Sequence, residues 1–198
     1  MKRVTKHFLR IMIGLAFVNS TISYAKSHYQ TEVNVLKPWE MMQESIDPRF
    51  TAIQTLKGNC WTASTVNPRP DAWRCMIGNQ ILDPCFSANP TAKQVACAAS
   101  PLNKQLKLLT LEKPLPLSQA NPDGFLSKNP WMIELNDGQI CYPLGGATMG
   151  FAGLRNNYSC GKNLIFGAVD CRSSKCRVLY YKEGAISLSY VGIKSIWY

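Results

Sequence analysis

The chain has 198 residues, 46% of them hydrophobic and 17% charged, and its 22 Lys and Arg against 12 Asp and Glu give a formal charge of +10. Its only histidines are His7 and His28, which argues against chemistry that turns on an imidazole, such as a Ser-His-Asp or Cys-His nucleophile. After the first apolar run, no stretch approaches the roughly 20 residues that a membrane-crossing helix needs.

Residues 1–25, MKRVTKHFLRIMIGLAFVNSTISYA, open with Lys2, Arg3, Lys6 and Arg10, run through the apolar Ile11 to Val18 and close on Ser23-Tyr24-Ala25. That three-part pattern is a secretory signal peptide with cleavage expected after Ala25, so the mature protein is expected to be exported, periplasmic or secreted. No cysteine stands at the cleavage point to carry a lipid. Without the leader, 18 basic residues face 12 acidic ones, a formal charge of +6, which serves either solubility alone or anionic partners such as lipopolysaccharide, acidic glycans, phospholipid headgroups or nucleic acid. The basic residues are scattered singly, and only Arg172, Lys175 and Arg177 approach a cluster.

Residues 26–48 read as an N-terminal arm followed by a short helix over Pro38 to Ile46, with Pro38 in the first turn, Glu40 near the positive end of the helix dipole and Asp47-Pro48 as the stop. Residues 49–198 then carry short runs of β-branched and aromatic residues separated by Gly, Pro, Asn and Asp. The runs are FTAIQTL, CWTASTV, QVACA, QLKLLTLE, WMIEL, QICYPL, NLIFGAV, CRVLYY and AISLSYVGIKSIWY. Asn136-Asp137-Gly138 between WMIEL and QICYPL is the clearest hairpin, since a tight turn needs the positive φ that Asp and Gly accept. Asp71 and Asp83, beside Pro and Cys, read as turn formers. The expected fold is mainly β, a disulfide-stabilised β domain of sandwich or barrel-like form. It is either one unit or two lobes joined by the proline-rich residues 114–130.

All eight cysteines, Cys60, Cys75, Cys85, Cys97, Cys141, Cys160, Cys171 and Cys176, lie beyond the leader. Zinc sites commonly place two cysteines with two to four residues between them. Only Cys171 and Cys176 come near that, with no second pair and no histidine to complete a set, so no metal or other cofactor is expected and the cysteines read as staples. Two apolar runs flank Arg172-Ser173-Ser174-Lys175, a hairpin whose base would hold Cys171 opposite Cys176. For the others, sequential pairs 60 with 75, 85 with 97 and 141 with 160 are expected, each closing a loop of roughly 12 to 20 residues for about 3 kcal/mol.

GGATMGFAG at 145–153 lacks the Lys-Ser/Thr ending of a phosphate-binding loop, and no calcium-loop pattern occurs. What survives of catalysis is a carboxylate pair of the glycosidase kind, with Asp71 or Asp83 set against Glu134 or Asp137. A tryptophan beside a cysteine either packs over a disulfide or forms an exposed patch suited to a sugar ring or a partner protein. The candidate binding residues are Trp61, Arg69, Trp73, Arg74 and Arg155. They lack the basic stripe that nucleic-acid binding asks for.

The segments CW, PRPDAWRC, GNQILDPCF, PWMIELNDGQIC, GAT and LRNNYSC, spanning residues 58–161, resemble a set of cysteine-rich bacterial exported proteins of uncharacterised function. The resemblance implies six shared cysteines, with Cys171 and Cys176 an addition, and turns at Arg74-Cys75 and Asp83 to Phe86. It implies no catalytic residue. The function expected is a non-enzymatic exported binding protein, periplasmic or released by a type II route, that recognises a glycan, an envelope component or a partner protein. The alternatives are a secreted carboxylate hydrolase, or an inhibitor presenting residues 114–130 to another secreted enzyme.

Overall fold

The computed structural model describes residues 30–40, 44–122, 129–145, 150–151, 153–172 and 174–198. The expected leader, with His7, and His28 lie outside them. Among the described residues, thirteen strands account for nearly all the regular structure: β1 (Glu32–Asn34), β2 (Thr51–Ala63), β3 (Ala72–Ile77), β4 (Gln80–Ser87), β5 (Gln94–Cys97), β6 (Gln105–Leu111), β7 (Met132–Leu135), β8 (Ile140–Pro143), β9 (Gly150–Phe151), β10 (Leu154–Cys160), β11 (Asn163–Arg172), β12 (Lys175–Tyr181) and β13 (Ser189–Trp197). They build two barrels in succession.

β2 to β6 form a closed barrel in chain order. Five strands that alternate in direction leave the first and last running the same way, so β2 closes on β6 as a parallel pair. β2 runs unbroken through Gly58, where a Cβ would overlap the carbonyl oxygen of Met76; the runs expected as two strands are therefore one. The stretch from Asp71 to Phe86, expected as turns, contains β3 and the longer part of β4. Pro84, joined to Asp83 by a cis peptide, sits where the β3–β4 ladder shifts register. Such a break lets proline, which has no N–H to give a ladder, stand inside a sheet.

The second barrel follows from six antiparallel ladders that form a ring: β7 with β8, β8 with β10, β10 with β11, β11 with β12, β12 with β13, and β13 back to β7. The Asn136-Asp137-Gly138 turn connects β7 to β8, with Gly138 at φ +86°. In β12 the residues alternate between buried and accessible, the period of a strand with one face on a core. Ile133, Leu135, Ile165, Val178, Ile193 and Tyr158 fill the interior.

All four disulfides join neighbouring antiparallel strands: Cys60–Cys75, Cys85–Cys97, Cys141–Cys160 and Cys171–Cys176. Three of the pairs are direct cross-strand partners, and the β8–β10 register extended by one residue brings Cys160 opposite Cys141. No thiol remains for metal or catalysis.

The helix expected over Pro38 to Ile46 is not formed by its described residues. Trp39 and Ile46 make an antiparallel bridge, Glu40 N–H donates to the Ser45 carbonyl and Asp47 N–H to that of Pro38, so the segment doubles back as a loop; residues 41–43 lie outside the description. Propensity yields here to tertiary contact: the indole Nε1 of Trp39 donates to the Phe86 carbonyl of β4 at 2.8 Å.

The arm is bound over its described residues. β1 lies parallel to the end of β13, Leu36 N–H donates to the Tyr198 carbonyl, and Leu36 enters a third core with Ala72, Phe86, Ala96, Leu106 and Trp131. Trp131 immediately precedes β7, and its ring meets that of Phe86 at 5.9 Å. The arm thus leaves the second barrel and inserts against the first.

Candidate functional site

Two of the five expected binding residues are interior. Trp73 is 1% exposed; it packs in the core of the first barrel with Cys60, Cys75, Cys85 and Cys97 and gives its Nε1–H to the Ser87 hydroxyl at 3.1 Å. It is the tryptophan laid over disulfides. Arg69 is also buried. Its guanidinium donates to the Leu36 carbonyl and, through Nε and Nη2, to both carboxylate oxygens of Asp71, with Phe86 stacked 4.8 Å away. A buried arginine needs this full complement of partners. Arg69 therefore ties the arm to the first barrel and is not displayed for a ligand.

Trp61 behaves differently. The β2–β3 ladder shifts register between Cys60 and Thr62, so Trp61 is the extra residue of a bulge, and bulges re-aim side chains. It is 42% exposed. The guanidinium of Arg74, on β3, lies 5.6 Å from its ring centre. On the other side of Arg74, its Nε is 3.8 Å from Asp83 Oδ2 and has no hydrogen bond among the described residues. Asp83 spends its oxygens elsewhere, accepting from the Ser64 hydroxyl and from the Thr65 N–H and hydroxyl. Met76 follows Arg74 by two residues, on the same outward face, and pairs with Ile81 of β4; both are exposed. A row of Trp61, Arg74, Met76 and Ile81 thus runs over the outside of the first barrel. A groove of about 400 Å³ adjoins it, with Ile53, Ile81, Asp83 and Lys107 in its walls.

Arg155 is exposed on β10, in the second barrel, and so is not part of that row. The carboxylates are divided in the same way. Asp71 and Asp83, engaged as above, belong to the first barrel. In the second, Glu134 accepts from Lys194 Nζ at 2.7 Å and from the Ser195 hydroxyl at 2.9 Å, and the lysine holds its carboxyl below the usual range. Asp137 closes its own turn by accepting from the Gln139 N–H. A general acid needs a carboxyl held protonated, the opposite of the condition of Glu134.

The connection expected as an inhibitory loop is anchored where it is described. Leu115 is buried in the first core, a single 3-10 turn covers Leu117–Gln119, and the Asn121 amide donates to the carbonyls of Ser64 and Asn67. Residues 123–128 of it lie outside the description. Among the described residues no group of three or more His, Cys, Asp or Glu is placed to hold a metal ion, and no helix is long and apolar enough to cross a membrane.

Sequence reasoning missed a second concavity, on the second barrel. It measures about 390 Å³ and is lined by the noted cluster Arg172, Lys175 and Arg177 together with Tyr190 and Gly192. The charge run was its one signal; Tyr190, on the last strand, carried none. Comparison of the chain with known protein families, curated proteins and solved structures finds no match.

Proposed function

We propose that the protein is an exported, non-enzymatic binding protein whose recognition surface is the outer face of the first barrel, and that its ligand is a glycan of the cell envelope or its surroundings. The observation that carries this reading is the exposed Trp61 ring at a bulge, flanked by Arg74. An aromatic face offers a stacking platform for the apolar face of a sugar ring, and a guanidinium beside it supplies planar donors for hydroxyl or carboxylate oxygens. The leader pattern and the full pairing of the cysteines support export, because such bonds persist outside the reducing cytoplasm. The hydrolase reading is less well supported: its carboxylates are split between two barrels and each is committed to structural partners.

The test is a glycan array probed with the oxidised chain from residue 26 onward, followed by titration of the best hit. Trp61→Ala should weaken that hit at least about tenfold, the equivalent of about 1.4 kcal/mol, with the thermal midpoint unchanged. Wild-type affinity in that variant would remove the platform. Binding to a protein partner with no saccharide hit would replace the glycan by an interface of the same residues.

A further inference from the structure

We propose that the cleft on the second barrel is a separate recognition site for a sugar ring that carries an oxyanion, a carboxylate or a sulfate. The β11–β12 hairpin places Asp170 opposite Arg177 and Arg172 opposite Lys175, so among the described residues three cations and one carboxylate share one end of the sheet. Asp170 ties the two arginines together: it accepts from Arg177 Nε at 2.9 Å and lies 3.5 Å from Arg172 Nε. These arginines hold its carboxyl below the ordinary range, so it stays an anionic anchor at neutral pH.

Arg177 is fixed from two directions. Asp170 takes its Nε edge, and the Tyr190 ring lies under its guanidinium at 4.1 Å. Its Nη groups make no protein hydrogen bond among the described residues. A guanidinium held in this way presents a planar fork, the geometry that matches a carboxylate or sulfate and that a lysine cannot reproduce. Tyr190 is 56% exposed even with Arg177 over its ring, and it lines the cleft, so part of its surface is open to a sugar.

The floor is shaped by a missing side chain. Gly192 pairs with Arg177 across the β12–β13 ladder, and a Cβ there would overlap the side-chain amide of Asn136. Glycine thus allows Asn136 to lie across the cleft, adding an amide that can donate and accept. At about 390 Å³ the cavity is near the small end of ligand sites, about 300 to 1,000 Å³, which suits one or two sugar rings. The site shares no residue with the Trp61 face, and one can fail without the other.

Titration calorimetry on the oxidised chain from residue 26 onward tests it, with a uronic-acid disaccharide, a sulfated disaccharide, their neutral parent and inorganic sulfate as probes. The acidic disaccharides should bind at least about tenfold more tightly than either the neutral parent or inorganic sulfate. Both Arg177→Lys, which keeps charge and stem, and Tyr190→Ala should reduce that binding several-fold, and Trp61→Ala should leave it unchanged. The thermal midpoint and the absence of reactive thiols certify each variant as folded. Equal binding of acidic and neutral disaccharides, inorganic sulfate matching the sulfated disaccharide, or wild-type affinity in both cleft variants would overturn the proposal.

Discussion

The two barrels use the same staple in different surroundings. In the first, both disulfides lie inside, packed with Trp73 in the core of a five-stranded barrel. In the second, Cys141–Cys160 is interior, but Cys171–Cys176 stands at the tip of the β11–β12 hairpin with Cys171 exposed. A small barrel has little room for apolar side chains, and sulfur there serves as packing as well as cross-link. The hairpin bond instead fixes the base of a loop whose charges face the cleft. The same covalent unit is thus core material in both barrels and, at the β11–β12 hairpin, also support for a surface.

The largest effect that would sharpen this contrast is at Trp73. Trp73→Ala should lower stability by about 3–5 kcal/mol, the range for a buried aromatic, whereas Trp61→Ala, twelve residues away, should stay within about 0.5 kcal/mol as an exposed substitution. Denaturant unfolding of both variants measures the difference, and similar losses would break the assignment of one ring to the core and the other to the surface. Next come the disulfides. Replacing both Cys85 and Cys97 by Ala should remove about 3 kcal/mol, against about 2 kcal/mol for Cys171 and Cys176, whose loop is shorter. The first pair should also unfold the first barrel earlier than the second by near-ultraviolet circular dichroism, as the Trp73 environment is lost.

The smallest effect concerns Glu134. Its folded carboxyl is held below the unfolded value by Lys194, so the stability it adds is complete above an unfolded pKa of about 4.3 and is lost as pH falls through the lower folded value. Glu134→Gln should therefore cost less than about 1 kcal/mol at neutral pH and flatten the acid limb of the thermal midpoint against pH. An unchanged acid limb would mean that the ion pair contributes nothing.

Much of the frame was legible because it depends on local spacing. The β class follows from short apolar runs between turn residues, and three of the four chain-order cysteine pairs join consecutive antiparallel strands, in which neighbours in sequence are neighbours in space, while Cys141–Cys160 joins β8 to β10 across the two-residue β9. The Asn136-Asp137-Gly138 hairpin is local in the same sense. The strands over Asp71 to Phe86 were hidden because proline and aspartate, which ordinarily interrupt sheets, sit there at a register break. The helix expected at Pro38 to Ile46 was a local preference outweighed by contacts with β4.

The amino-acid order by itself determined a sheet protein whose eight cysteines pair in chain order, with one basic cluster near its end, since each of these depends on residues close along the chain. Which tryptophan meets solvent, which arginine is sealed beneath the arm, and the meeting of Tyr190 with Arg177 and Gly192 were decided only when the barrels closed. Bulges and ring closure settle which way a side chain points by pairing strands that are distant in sequence, and residue types alone do not carry that information.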